Sequence, residues 1–356
     1  MANRTDPIGY AVIGVGIWGD LHLRTLCEDP RVKLQAICDI NEEKARSIAK
    51  EYKIPYIYTS YEEMLKNPDI EAVSVATPDF AHGGPALCVA ESGKHLLCEK
   101  PMAMTIEESL KIIDSANKHN IKFMVDFHNR WSPPFYIAYE NLRAGKLGKP
   151  RYAYFRLSDT IYVPLQYISW GSKTSVLWFL GPHCIDSIRW LFNDDVREVY
   201  CVSRKELLKS KGIDSPDFFA YIMQFENGGV ATMENSWILS EQNPTIYDLK
   251  LELQCDSGTI FMNPSHSQIM EIYRDQKSAG WDNITYPDTM VNPTVHGKIL
   301  GLATESIRHF IDCIWQDKSP LVTGLDGLRA TEIILAVEES ARTHKPVNVV
   351  RNEIES

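Results

Sequence analysis

Between residues 8 and 126 short apolar runs alternate with helix-spaced segments, and a glycine turn marks the first junction. Runs at 8–13, 33–38, 72–76, 94–98 and 122–127 read as buried parallel strands. Between them, 18–28, 41–52, 61–66, 80–92 and 105–119 carry helical spacing. Thr105 with Glu108 three residues on predicts a capping box, and Ser60 ahead of Tyr61-Glu62-Glu63 predicts an N-cap. Strand and helix alternating this regularly specify an α/β fold built on a Rossmann-type, doubly wound parallel sheet.

The pattern changes after Pro150. Segments 151–157, 197–203, 217–225, 229–239, 246–255, 258–262 and 268–274 are strand-like and joined by turns such as Glu226-Asn227-Gly228-Gly229. Consecutive strands with short connections predict a largely antiparallel open sheet, hence a C-terminal α+β domain. A helix at 176–192 interrupts the set, and helices at 299–317 and 324–344 close the chain. The expected division is therefore 1–128 for dinucleotide binding and 129–356 for substrate binding and oligomerisation, with the last helices free to pack back on the first domain. A length of 356 residues suits two domains.

The formal charge of −10 argues against nucleic acid or an anionic membrane as a main partner. Eight cysteines without a CxxC pair suit buried free thiols in a reducing compartment. No apolar run approaches the roughly 20 residues needed to span a bilayer, and the expectation is a cytoplasmic protein forming a homodimer or homotetramer. No His, Cys or Asp group has the spacing of a metal site, so no metal is expected.

Gly14-Val15-Gly16-Ile17-Trp18-Gly19 follows a strand and opens a helix, the setting a dinucleotide fingerprint requires. Gly14 permits the tight turn, Gly16 lets backbone approach a pyrophosphate, and Gly19 packs helix on strand. Asp39, twenty residues on, is placed to accept from ribose hydroxyls and to repel a 2′-phosphate, which favours NAD over NADP. Thr77-Pro78 ends the next strand at the sheet's ligand edge. His82, just beyond, is either a contact to cofactor phosphate or ribose, or a half-exposed helix-start histidine.

Glu99-Lys100-Pro101 ends the following strand. Oxidising a secondary alcohol removes a hydride from carbon and a proton from oxygen, and the second needs a positioned side chain. Lys100 is the candidate. Its ordinary pKa of about 10.4 falls on burial and beside a positive ring, the direction a base requires.

These features, with Ala76-Thr77-Pro78, Asn129-Arg130, Gly181-Pro182-His183-Cys184-Ile185-Asp186 and Thr323-Gly324-Leu325-Asp326-Gly327, make the chain resemble the Gfo/Idh/MocA oxidoreductase family over nearly its whole length. The resemblance implies NAD(P)-linked redox chemistry on sugars, cyclitols and related alcohols. It implies that Lys100 and His183 are catalytic and that Asp186 touches substrate hydroxyls. It also adds Ile17, Trp18, Glu99, Asn129 and Arg130 to the cofactor-binding set. His183 and Asp186 at i,i+3 share a helix face. One position departs from the family pattern: four residues before His183, where many members carry Asp, stands Phe179.

Trp131, Tyr136, Tyr154, Tyr162, Tyr167, Trp170 and Trp178 supply flat faces suited to sugar rings or aglycones. Trp131, Phe179 and Arg156 are the further expected substrate contacts, and 281–298, with Trp281, Tyr286, Pro287, Pro293 and His296, is expected to cover a site or serve an oligomer contact. The resulting reading is an NAD-dependent dehydrogenase of a sugar, cyclitol or glycoside secondary hydroxyl, with C3 of a glycoside ring one option. Two alternatives keep the cofactor: a glycosidase-like cycle of transient oxidation and elimination on bound NAD, or a non-enzymatic NAD-sensing regulator.

Overall fold

The computed structural model describes residues 4–266, 272–273, 284–285 and 288–354. Its first part winds β1 (Ile8–Ile13), α1 (Ile17–Glu28), β2 (Val32–Cys38), α2 (Glu42–Tyr52), β3 (Tyr56–Tyr58), α3 (Tyr61–Leu65), β4 (Ala72–Val75), α4 (Gly83–Glu91), β5 (His95–Cys98), α5 (Ile106–Lys118) and β6 (Phe123–Val125). The strands form one parallel sheet in the order β3-β2-β1-β4-β5-β6, with the order reversing at β1/β4. β1 and β4 are buried along their entire length because helices cover both faces. Ser60 and Thr105 cap as expected: each hydroxyl accepts the N–H three residues on, at 3.2 Å. Thr105 also donates to Glu108 Oε2 at 3.0 Å.

The second part carries α6 (Pro133–Arg143), β7 (Pro150–Asp159), α7 (Val176–Phe192), β8 (Val196–Arg204), α8 (Leu207–Ser210), β9 (Phe218–Phe225), β10 (Val230–Ser236), β11 (Tyr247–Cys255) and β12 (Gly258–Met262). Two short ladders follow, β13 (Ile272–Tyr273) with β14 (Ile284–Thr285) and β15 (Thr294–Val295) with β16 (Lys298–Ile299). Then come α9 (Leu302–Trp315), α10 (Gly324–Thr343) and the edge strand β17 (Val347–Asn348). The second sheet runs β12-β11-β7-β10-β9-β8-β17. Its pairs are antiparallel except β10 with β7, which is parallel. Ala153, Phe155 and Leu157 of β7, Tyr221 and Met223 of β9 and Met233 of β10 form its buried face, on which α7 packs.

The two compact units part after Trp131, three residues beyond the expected boundary, and part of the later chain returns to the first unit. The first comprises residues up to Trp131, Met290–Thr331 and the chain from Asn352 on; the second comprises Ser132–Thr289 and Glu332–Arg351. The return is driven by packing: Ile299, Leu302 and Ala303 join Leu21 in a buried cluster against Trp18 and Val291. The strand expected at 268–274 lies outside the described residues apart from Ile272–Tyr273, as do Trp281, Tyr286 and Pro287. Among the described residues all eight cysteines are free thiols, and no helix is long and apolar enough to cross a membrane.

Candidate active site

In the first unit the β1–α1 turn is shaped by its glycines. Gly14 has φ +84°, and a Cβ there would meet Ala76 O and Thr77 N at 2.7 Å; a Cβ on Gly19 would meet Gly14 O at 1.9 Å. Gly16 is different: a Cβ on it would project into open space. No side chain caps the first turn of α1, which leaves that helix end to an external anion. Asp39, following β2, is half-buried and ties the turn, its carboxylate accepting Val15 N and Asn41 N at 2.9 Å. A glycine cradle, an uncapped helix end and an acid at the end of β2 together fit a dinucleotide carrying a free ribose diol.

Thr77 Oγ1 donates to Ala81 O at 2.9 Å and holds the turn after β4. His82 is buried, with Nδ1 2.6 Å from Pro101 O and Nε2 2.7 Å from Thr77 O. Both ring nitrogens are thus taken by carbonyls of the loops after β4 and β5. His82 pins those two loops together. Lys100 itself is 7% exposed, and the Lys100–Pro101 peptide bond is cis.

Glu99 is buried; its Oε1 lies 3.1 Å from His22 Nε2 and its Oε2 accepts Lys100 N at 3.3 Å. Asp126, just after β6, places Oδ2 4.0 Å from the same His22 nitrogen. His128 stacks on Trp18, ring centroids 5.3 Å apart and planes 17° apart, which makes Trp18 a packing residue of this unit. Arg130 is engaged by Asp326 at 2.8 Å, beside Asn129, which is buried; Trp131 packs on His309 at 5.2 Å. The guanidinium of Arg130 and the indole of Trp131 thus tie α10 and α9 to the loop after β6.

In the second unit Ser175 caps α7 by accepting Trp178 N at 3.4 Å. Asn235 fixes the helix to the sheet: its Nδ2 lies 3.4 Å from Cys184 Sγ and donates to Leu157 O, while Tyr221 donates to its Oδ1. His183 (7% exposed) and Asp186 (1%) lie on α7 one turn apart, as expected. Phe179, on the preceding turn, packs on Trp237 with ring centroids 5.7 Å apart. The indole of Trp237 donates to Asp159 Oδ2 at 3.2 Å, so a buried carboxylate lies just beyond the ring that replaces the usual acid. Arg156 lies on β7. Alternation along β7 turns it to the face opposite Phe155 and α7, where Glu234 and Asp248 hold it at 3.2 and 3.3 Å.

Residues 8–127 match a family model described as the NAD-binding Rossmann fold of an oxidoreductase family, Gfo/Idh/MocA, and residues 139–349 match its C-terminal alpha/beta domain. The chain belongs to the Gfo/Idh/MocA family. A curated family relative, scyllo-inositol 2-dehydrogenase (NAD(+)) of Bacillus subtilis, is 26% identical, with 95% of each chain covered. Among solved structures, GenD2 from gentamicin A biosynthesis in complex with NAD shares the fold at TM-score 0.85 and 20% identity over 98% of each chain. A scyllo-inositol dehydrogenase from Lactobacillus casei, solved with NAD(H) and scyllo-inositol, shares it at TM-score 0.80 and 19% identity, over 97% of this chain and 99% of its own. As a Gfo/Idh/MocA member the protein is an NAD-dependent oxidoreductase acting on CH–OH groups.

His22, Asp126, His128, Asp159 and Trp237 were not legible as site-region residues. The one available signal was positional: Asp126 and His128 directly follow a parallel strand, at the edge where such sheets gather ligands.

Proposed function

We propose that this protein oxidises a secondary hydroxyl of a sugar, cyclitol or glycoside with NAD, using Lys100 and His183 to handle the hydroxyl proton. The observation that carries the reading is a buried lysine at the carboxyl end of β5, in the same unit as a glycine cradle built for a dinucleotide. NAD, when bound, supplies the hydride acceptor. Gly14, Gly16 and Gly19 give the backbone close approach to its pyrophosphate, Asp39 selects the free ribose diol, and Thr77 and Pro78 shape the adjoining edge. Lys100 Nζ is assigned the role of receiving the proton from the substrate oxygen. His183 offers a second acceptor, and Asp186, one turn on, a carboxylate to orient hydroxyls.

The finer reading is a glycoside oxidised at C3, supported by Phe179 and Trp237, whose joined rings favour an apolar substituent over a free cyclitol face. NADH formation against aldoses, inositols and glycosides tests it. Glycosides are expected to give the highest kcat/KM, with NADH rising in proportion to product. Better turnover of free inositols overturns the glycoside preference. Aglycone release at catalytic NAD, without NADH, would instead establish the elimination cycle.

A further inference from the structure

Behind Lys100, in the interior of the first unit, lies a chain of hydrogen bonds with one consistent direction. Tyr10 OH and Ser74 Oγ are 3.0 Å apart, Ser74 Oγ and His22 Nδ1 3.0 Å, and His22 Nε2 and Glu99 Oε1 3.1 Å. With a carboxylate at Glu99, His22 must carry its proton on Nε2 and donate there. Its Nδ1 then accepts from Ser74, and Ser74 accepts from Tyr10. Every donor and acceptor in the line is satisfied by a neutral imidazole. The line ends on the carboxyl group whose other oxygen receives Lys100 N at 3.3 Å.

Asp126 completes the arrangement. It is 1% exposed, its Oδ2 lies 4.0 Å from His22 Nε2, and its Oδ1 has no hydrogen-bond partner. His22, Glu99 and Asp126 thus bring two carboxyl groups within 4.8 Å of one another with water excluded. Two such groups do not both ionise in a dry site. We propose that His22, Glu99 and Asp126 form a positioning unit for Lys100, in which Glu99 carries the single negative charge and Asp126 keeps the proton. The inference rests on Lys100 being the proton-handling group.

The surrounding charges agree. Burial raises Glu99, but the His22 hydrogen bond and the Lys100 charge oppose it, and the carboxyl is held below its ordinary range. Burial, then the charge of Glu99, push Asp126 well up; Ser306 of α9 and Lys100 offset this only in part. The other titratable groups facing the unit are Tyr10 from β1 and Cys98 from β5, both raised chiefly by burial, and His128 after β6, which burial pushes down to about 4. All three are neutral at pH 7, which leaves Glu99 as the anion of this group.

The experiment is a 13C-lysine NMR titration of the full-length protein, with the Lys100 Cε signal assigned by its loss in Lys100→Met. Glu99→Gln removes the anion and is expected to lower the Lys100 midpoint by about one pH unit, a tenfold change in the amine fraction. Asp126→Asn replaces one neutral group by another and is expected to move it by no more than about a fifth of that. A general packing defect would affect both alike. Equal shifts in the two variants, or none in Glu99→Gln, overturn the proposal. Isotope-edited infrared of the wild type needs no variant to fold stably: a protonated aspartic carboxyl at neutral pH, lost in Asp126→Asn, is expected, and its absence is contrary. If the Lys100 midpoint moves while the pH–rate profile stays fixed, this proposal stands and Lys100 is removed from proton transfer.

Discussion

His128 shows how a residue's environment becomes a measurable property. It lies stacked on Trp18 and buried, and burial is the main reason its imidazole is pushed down to about 4. Unfolded, it titrates near 6.5. Between about pH 4 and 6.5 the unfolded chain therefore binds the extra proton, so stability rises with pH across that window. The expected slope approaches about 1.4 kcal/mol per pH unit. Urea unfolding of wild type and His128→Phe, which keeps a ring against Trp18, checks it: the variant should lose most of the dependence. At this scale the sequence was only partly legible. Lys100, His183, Asp186 and the glycines sit in the elements where strand-end and helix-face rules put them. His82, Glu99, Arg130 and Arg156 have the right residue types and neighbourhood, but their partners come from elsewhere in the chain: Glu99 lies 77 residues from His22, and Arg130 lies 196 from Asp326. Local pattern carries no information about such pairings.

The β1–α1 turn separates two kinds of glycine. Gly14 is required by the fold, since an added Cβ meets backbone at 2.7 Å and its φ is +84°. Gly16 has open space at its Cβ. Gly14→Ala is accordingly expected to lower the thermal midpoint by several degrees. Gly16→Val is expected to leave the thermal midpoint within about a degree of wild type while weakening NADH binding, followed by fluorescence, more than about tenfold. Elements with strong caps and long apolar runs were read to within one or two residues; 176–192, for example, coincides with α7. The omissions have physical reasons. β3 has three partly exposed residues at a sheet edge, too few for a buried run. α6 begins with Pro133-Pro134, which reads as a breaker although proline suits a helix's first turn.

At the scale of the molecule, long-range packing decided what periodicity could not. The parallel pairing of β10 with β7 and the return of α9 to the first unit depend on contacts across many residues. The two layer types remained legible because each sheet imposes its own period and connection length. The central claim is that this NAD-dependent family member does its proton chemistry through Lys100. Substrate-dependent NADH formation by wild type and Lys100→Met, alongside NADH affinity for both, tests it most directly. The expected result is a fall in kcat of at least about a hundredfold with NADH affinity within about threefold of wild type. A variant that binds NADH and turns over at the wild-type rate would contradict it.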